Sequence, residues 1–140
     1  MIDGSMQPFS LTLDKFLLHA AKWHPDVEVI TAGTGTTTTR MGYAALRERA
    51  LQVSQVLAGL GVGLGSRVAT LAWNTARHLE VWYGITGIGA IYHTVNPRLF
   101  PEQIAWIVNH AADRVLFTDL TFLPILEALR GSLPDRKSVV

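Results

Sequence analysis

The second half of the chain alternates short apolar runs with helical patterns, and this alternation constrains the fold more than any other feature. "RVATLAW" is a continuous apolar strand pattern, "AIYHTV" and "DRVLFTD" are two further strands, and "KSVV" starts a fourth that breaks off. Helical patterns stand between them at residues 75–89, from Pro101, and at 121–130. Repeated strand–helix units with short connections predict an α/β fold with a parallel, doubly wound sheet.

The first 66 residues have a different pattern. A helix after Thr12 places Leu13, Phe16, Leu17 and Ala20 on one face. "VEVITAGTGTTTTRMGY" alternates like a β-hairpin, residues 43–60 form a helix with one apolar stripe, and "GLGVGLGS" turns the chain. The sequence therefore predicts helix, hairpin and helix over residues 1–66. A βαβαβα unit, truncated at its last strand, follows over 67–140, and both parts form one subdomain.

Composition indicates a surface that something else covers. Charged residues make up 16% of the chain, against about 25% in a typical soluble domain. The helix at residues 75–89 is apolar nearly all round and needs cover on both faces. Further polypeptide is one source of cover, and homo-oligomerisation is another.

Charge and cysteine content exclude several functions. A net charge of +1 offers no footprint for nucleic acid, and zero cysteines exclude disulfides, Cys-ligated metals and a Cys nucleophile. The most apolar run, "VWYGITGIGAIY", is too short to span a bilayer, and "MIDGSMQPFS" lacks the pattern of a secretory signal. We expect a soluble, cytoplasmic protein.

Three glycine-rich stretches imitate nucleotide loops without meeting their requirements. "TAGTGTTTTR" lacks the lysine of a P-loop and lies in a hairpin. "GLGVGLG" has the wrong spacing and precedes a strand instead of following one. We place Gly84, Gly87 and Gly89 in a helix, where small residues permit close packing. The acidic residues of a phosphoacceptor domain and a G-x-S-x-G elbow are also missing.

The ends of the predicted strands carry the polar residues of interest, because open α/β sheets bind ligands at the carboxyl edge. We expect one rim made of Trp73, Asn74, His93, Thr94, Asn96, Thr118 and Asp119. None of the five histidines has metal-ligand spacing, and a structural hydrogen bond is favoured over a ligand contact for His93. Arg98 follows Asn96-Pro97 and is either a solvated corner residue or an anion-facing arginine.

The stretch from "RVATLAWNTARHLEVWYG" to "HTVNPRLFPEQIAWIVNHAADRVLFTD" resembles the amino-terminal part of the adenylate-forming acyl-CoA synthetases, medium-chain fatty acyl-CoA ligases above all. "YAALRERALQVSQVLAGLGVGLGSRVA" is similar to the family's opening helix and turn, with Ser66 where an Asp is usual. The similarity runs from about Phe9 to the last residue, and it implies that the chain is part of the large N-terminal lobe.

The resemblance implies an acid–thiol ligase that uses Mg-ATP to convert a fatty acid to an acyl-adenylate, then transfers the acyl group to CoA. The family's ATP loop, magnesium contact, ribose contact and adenylating lysine have no match here. The resemblance therefore implies no catalytic residue, no metal ligand and no tightly bound cofactor in this chain. Arg98 alone carries over, as a contact to the CoA phosphates, and the remainder of the same polypeptide is the expected partner.

Two other interpretations stay open. The polar rim also suits a stand-alone nucleotide- or CoA-binding module, or a non-catalytic partner of a separate catalytic chain. The apolar surface also suits a homo-oligomer.

Overall fold

The computed structural model describes residues 8–33, 37–133 and 137–139, the last three as backbone. The helices are α1 (Asp14–Trp23), α2 (Tyr43–Gly59), α3 (Ala76–Gly87), α4 (Pro101–His110) and α5 (Leu123–Ala128). The strands are β1 (Glu28–Ala32), β2 (Thr38–Gly42), β3 (Arg67–Leu71), β4 (Ile91–Thr94), β5 (Val115–Thr118) and β6 (Lys137–Val139). The predicted order of elements is confirmed. The tip of the hairpin, 34–36, lies outside the described residues.

Strands β3 to β6 form one parallel sheet in the order β4-β3-β5-β6. Strand β3 lies in the middle of the first three, with Thr70 opposite Thr94 on one side and Phe117 on the other. Strand β6 pairs with β5 from Val115↔Lys137, so "KSVV" does supply a strand. The parallel sheet is confirmed.

Each face of the sheet carries its own apolar core, which makes the sheet doubly wound. Helices α2 and α3 cover one face, where Leu57, Val68 and Ile85 are fully buried. Helices α4 and α5 cover the other, where Leu71, Ile104 and Val108 are fully buried. Side chains alternate between the faces because neighbouring strand residues point in opposite directions.

The antiparallel hairpin β1–β2 and helix α1 lie beside α2 and α3, and their small core is formed by Leu17, Leu46 and Ala50. Of the four residues expected on one face of this helix, Leu13 precedes α1 and Leu17 alone is buried. Phe16 is 63% exposed and Leu13 44% exposed. The helix is confirmed, and within the described residues most of its apolar face is left open to solvent.

Helices α2 and α3 approach each other closely at Gly84. A Cβ on Gly84 would lie 2.6 Å from Cγ1 of Val53 and 2.9 Å from the carbonyl oxygen of Ala50. The predicted packing role of this glycine is confirmed. Gly89, by contrast, lies beyond the end of α3 with φ +71, so its placement in the helix was wrong.

The helix predicted over 121–130 is broken into three pieces. A 3₁₀ turn at Leu120–Phe122 precedes α5, and a second at Arg130–Ser132 follows it. Pro124 occupies the first turn of α5, where its missing N–H removes no helical bond. Gly131 lies inside the second 3₁₀ turn and is not among the described glycines with positive φ, so its predicted role as a C-cap was wrong.

Candidate functional site

The carboxyl ends of β3, β4 and β5 are tied together by hydrogen bonds. The Val95 N–H donates to the Thr70 carbonyl at 2.8 Å, which joins β4 to β3. The Thr118 hydroxyl and the Asp119 N–H both donate to the carbonyl of Leu71, at 3.1 and 3.3 Å, which joins β5 to β3. The three strand ends therefore form a connected edge, on which the predicted residues Thr118 and Asp119 lie.

Trp73 is held at this edge by two contacts. Its backbone N–H donates to the Oδ2 atom of Asp119 at 2.6 Å, and its ring centroid lies 4.8 Å from that of buried Phe122. The indole nevertheless remains 46% exposed. A fixed aromatic surface therefore stands at the end of β3, next to the carboxylate of Asp119.

The Asn96-Pro97-Arg98 corner connects β4 to α4. The side-chain oxygen of Asn96 accepts the Arg98 backbone N–H at 2.9 Å, and the Asn96 carbonyl accepts the Leu99 N–H at 3.3 Å. Helix α4 then begins at Pro101. Because Asn96 fixes the corner, the backbone of Arg98 has a defined position and its exposed side chain extends from there. Its guanidinium stays charged and presents a planar fork that suits phosphate oxygens.

His93 does not belong to the rim. Its Nδ1 atom lies 2.8 Å from the Oδ2 atom of Asp113, whose side chain is fully buried just before β5. His93 thus pairs with a carboxylate that precedes the amino end of β5, on the other side of β3 in the sheet. The structural hydrogen bond that the sequence favoured is what the structure contains.

His78 forms a hydrogen-bonded centre that the sequence did not reveal. Its Nε2 atom lies 2.9 Å from the hydroxyl oxygen of Thr70 and 2.5 Å from that of Tyr92. Burial lowers the pKa of His78, against the opposing effects of Asp119 and of a ring hydrogen bond to the backbone of Trp73. The neutral ring donates to the Trp73 backbone, so the single lone pair of Nε2 accepts the hydrogen of the Tyr92 hydroxyl, with the Thr70 hydroxyl beside it.

The register of β3 and β4 brings the partners of His78 together. Thr70 and Tyr92 occupy neighbouring strands on the face that α3 covers, because Tyr92 is the register partner of Val68 and Thr70 lies two residues after Val68. His78 lies in the first turn of α3, directly above the end of β3. Burial also raises the pKa of Tyr92, so its phenol keeps its hydrogen for this bond.

The other histidines are peripheral in the part of the chain that the structure describes. His19 and His24 are exposed at the end of α1 with ring centroids 6.1 Å apart, and His110 ends α4 stacked on Trp106 at 4.7 Å. No group of three or more His, Asp or Glu side chains there could hold a metal ion. We assign no magnesium ligand to the described residues.

No helix within the described ranges is long and apolar enough to cross a membrane.

A family model described as AMP-binding enzyme matches residues 17–140. The chain is 42% identical over 98% of its length to a 3-methylmercaptopropionyl-CoA ligase of Ruegeria lacuscaerulensis. It is also 42% identical over 98% of its length to a medium-chain-fatty-acid–CoA ligase of Ectopseudomonas oleovorans. It spans 25% of each relative, so it is about a quarter of their length.

Solved structures share the fold. The anthranilate CoA ligase AuaEII, solved in complex with anthranoyl-AMP, superposes with a TM-score of 0.84 at 26% sequence identity. The match covers 95% of this chain and 26% of that one. The doubly wound sheet with its preceding helix and hairpin is thus part of the fold of adenylate-forming ligases, as the sequence predicted. By the extent of the family match and these likenesses, this chain belongs to the AMP-binding enzyme family.

Proposed function

We propose that this chain is the N-terminal subdomain of a larger fatty acyl-CoA ligase. Identity of 42% to two CoA ligases, over nearly the whole chain but only a quarter of either relative, is the observation that carries the proposal. In the whole protein, the carboxylate attacks the α-phosphorus of ATP and releases pyrophosphate. The CoA thiol then attacks the acyl carbon, forms the thioester and releases AMP.

The contribution of this chain to that reaction is architectural. At the carboxyl edge of the sheet, the Leu71 carbonyl accepts the Thr118 hydroxyl and the Asp119 carboxylate accepts the Trp73 N–H. These hydrogen bonds hold the loops in place and supply neither a nucleophile nor a base. Phosphoryl transfer needs positive charge and metal ions at the transferred group, and the described residues supply no metal-ligand set. We therefore propose that the chain alone is inactive and that ATP, magnesium and the fatty acid meet residues of the remaining polypeptide.

Arg98 is the residue to which we assign a substrate contact. We propose that its guanidinium binds a phosphate of the CoA nucleotide. Support comes from its exposed position on the fixed corner after β4 and from the bidentate fit between guanidinium and phosphate oxygens.

The remainder of the same polypeptide is the partner we propose for the exposed apolar surface. Large apolar side chains are exposed on α1, on the β4–α4 connection, on α4 and after β5: Phe16, Trp23, Phe100, Trp106 and Leu120. Contact with further chain would remove this area from water, which stabilises the assembly. Self-association of the 140-residue chain through the same surface, and a cytoplasmic location, remain predictions.

The test compares the 140-residue chain with the whole polypeptide that carries it. Each is incubated with ATP, magnesium and a medium-chain fatty acid, and acyl-AMP and pyrophosphate are measured, with CoA added in a second set. We expect both products from the whole polypeptide and neither from the short chain. Acyl-AMP made by the short chain would refute its inactivity. CoA binding by a whole polypeptide that makes no acyl-AMP would favour the non-catalytic binding module.

A further inference from the structure

A cleft opens between strand β1, the beginning of α3 and strand β4, on the face of the sheet that α3 covers. It has a volume of about 430 Å³. Ile30, Leu79, Trp82 and Tyr92 supply most of its apolar wall, and Thr31, Asn74 and His78 contribute polar groups. An enclosed cavity of about 150 Å³ already accepts benzene, so the cleft has room for one or two fused rings.

The aromatic wall of the cleft is held by ring contacts. Trp82 lies edge-on to Tyr92 with centroids 6.4 Å apart, and the His78 and Tyr92 rings are 5.8 Å apart. Trp82 also meets Tyr83 at 4.6 Å. An incoming ring can therefore pack on Trp82 and Tyr92 in the edge-to-face or offset geometry that aromatic pairs prefer, without first ordering them.

Every polar group around the cleft is uncharged. No Asp, Glu, Lys or Arg is among its lining residues. His78 is neutral because burial lowers its pKa, and its Nε2 atom accepts the Tyr92 hydroxyl, with the Thr70 hydroxyl beside it. A charged ligand would lose water here without gaining an opposite charge, which is costly.

Two polar atoms have a defined capacity for a ligand. The Tyr92 hydroxyl donates its hydrogen to Nε2 of His78 and its oxygen takes a hydrogen bond from Thr70, so the second lone pair of that oxygen is the one that can accept a hydrogen from a ligand. The Thr31 hydroxyl oxygen accepts the Ala76 N–H at 2.9 Å, so its own hydrogen can be donated. The cleft thus offers one acceptor and one donor beside an aromatic wall.

We propose that this cleft binds an uncharged aromatic ring system of one or two rings that carries an N–H or O–H donor. The Tyr92 oxygen accepts the donor, and the ring packs against Trp82 and Ile30. This inference concerns the described chain alone and does not depend on the proposed ligase activity.

Indole serves as the probe, titrated into the whole polypeptide that carries this chain, ¹⁵N-labelled and deuterated, while backbone amide and tryptophan side-chain N–H resonances are followed by NMR. We expect shifts centred on Ala76, Trp82 and Tyr92, with a Kd on the order of 1 mM for a ligand of this size. N-Methylindole, which lacks the donor, and tryptamine, which is a cation, should both bind more weakly. Tryptamine binding as tightly as indole would overturn the uncharged character of the ligand.

Variants separate packing from hydrogen bonding. Trp82→Ala should weaken indole binding about tenfold, whereas Trp106→Ala, on the α4 face, should leave it unchanged. Tyr92→Phe keeps the ring and removes the acceptor, so it should weaken indole about fivefold and leave N-methylindole unchanged. The amide spectrum of each variant reports whether its fold is intact. Equal binding by wild type, Trp82→Ala and Tyr92→Phe, or no shift up to the solubility of indole, would overturn the proposal.

Discussion

The guanidinium of Arg49 on α2 and the carboxylate of Glu80 on α3 form an ion pair with an Nε–Oε1 distance of 2.5 Å. The Glu80 side chain is only 4% exposed, whereas that of Arg49 is 39% exposed. The hydrogen bond from Arg49 to Glu80, together with their attraction, raises the pKa of Arg49. The buried carboxylate on α3 is thus compensated by an arginine from the neighbouring helix α2.

Removing Arg49 should destabilise the chain because it leaves Glu80 buried without its counter-charge. We expect Arg49→Ala to lower the free energy of unfolding by about 2–3 kcal/mol, at or below the lower end for buried pairs, since Arg49 is partly solvated. Urea denaturation measures the change. The double variant Arg49→Leu/Glu80→Leu removes both charges and should recover most of the loss. A double variant that is less stable than Arg49→Ala would contradict this explanation, because the loss would then not come from the unpaired charge of Glu80.

The contact at Gly84 should not tolerate a methyl group. A Cβ there would overlap Val53 and the backbone carbonyl of Ala50, so we expect Gly84→Ala to cost about 1–3 kcal/mol in unfolding free energy. Gly59 is the matched control, because it ends α2 with no atom within 4 Å of the added Cβ. Gly59→Ala should be neutral or stabilising by up to about 1 kcal/mol. Equal effects of the two substitutions would show that α2 and α3 are not in close contact.

Stability should fall in mild acid because of His78. Its pKa is lowered in the fold by burial, so the unfolded chain takes up a proton near pH 6.5 while the folded chain does not. The free energy of unfolding therefore falls as pH drops below about 6.5. His78→Gln should flatten this dependence relative to wild type, as measured by urea denaturation at several pH values. An unchanged slope would contradict the neutral state of His78 in the fold.

Arg98 should contribute to CoA affinity and not to stability. We expect Arg98→Ala to weaken CoA binding to the whole polypeptide about tenfold, the loss typical of a charged hydrogen bond, as measured by calorimetry. Arg130→Ala is the control, because Arg130 is also exposed but follows α5 at the opposite edge of the sheet. Dephospho-CoA, which lacks the 3′-phosphate, identifies the phosphate involved. If it binds wild type as weakly as CoA binds Arg98→Ala, and if Arg98→Ala does not weaken it further, the contact is to the 3′-phosphate. Unchanged CoA affinity in Arg98→Ala would refute the assignment.

Local patterns were sufficient for most of the fold. The apolar run of β3 and the stripe of α4 each follow from residues close in sequence, and both elements lie where the sequence placed them. The boundaries around α5 were less predictable. Its sequence carries a helical pattern, but the segment folds as two 3₁₀ turns with the short helix α5 between them.

The missed features depend on contacts between residues distant in sequence. Glu80 looks like an ordinary helix residue until Arg49, 31 positions away, is placed beside it. His78 becomes the centre of a polar network only when β3 and β4 bring Thr70 and Tyr92 together. Conversely, His93 looked like a rim residue, yet its partner Asp113 lies on the amino-end side of β5. Sequence spacing carries no direct record of such pairings.

The central claim is that this chain is one part of a larger ligase, and the mass of the native polypeptide tests it most directly. An antibody against the 140-residue chain captures the protein from source cells, and intact mass spectrometry measures it. The account predicts a species about four times heavier than the 15.4 kDa of these residues, in keeping with relatives of which they span a quarter. A native species of 15.4 kDa would contradict it.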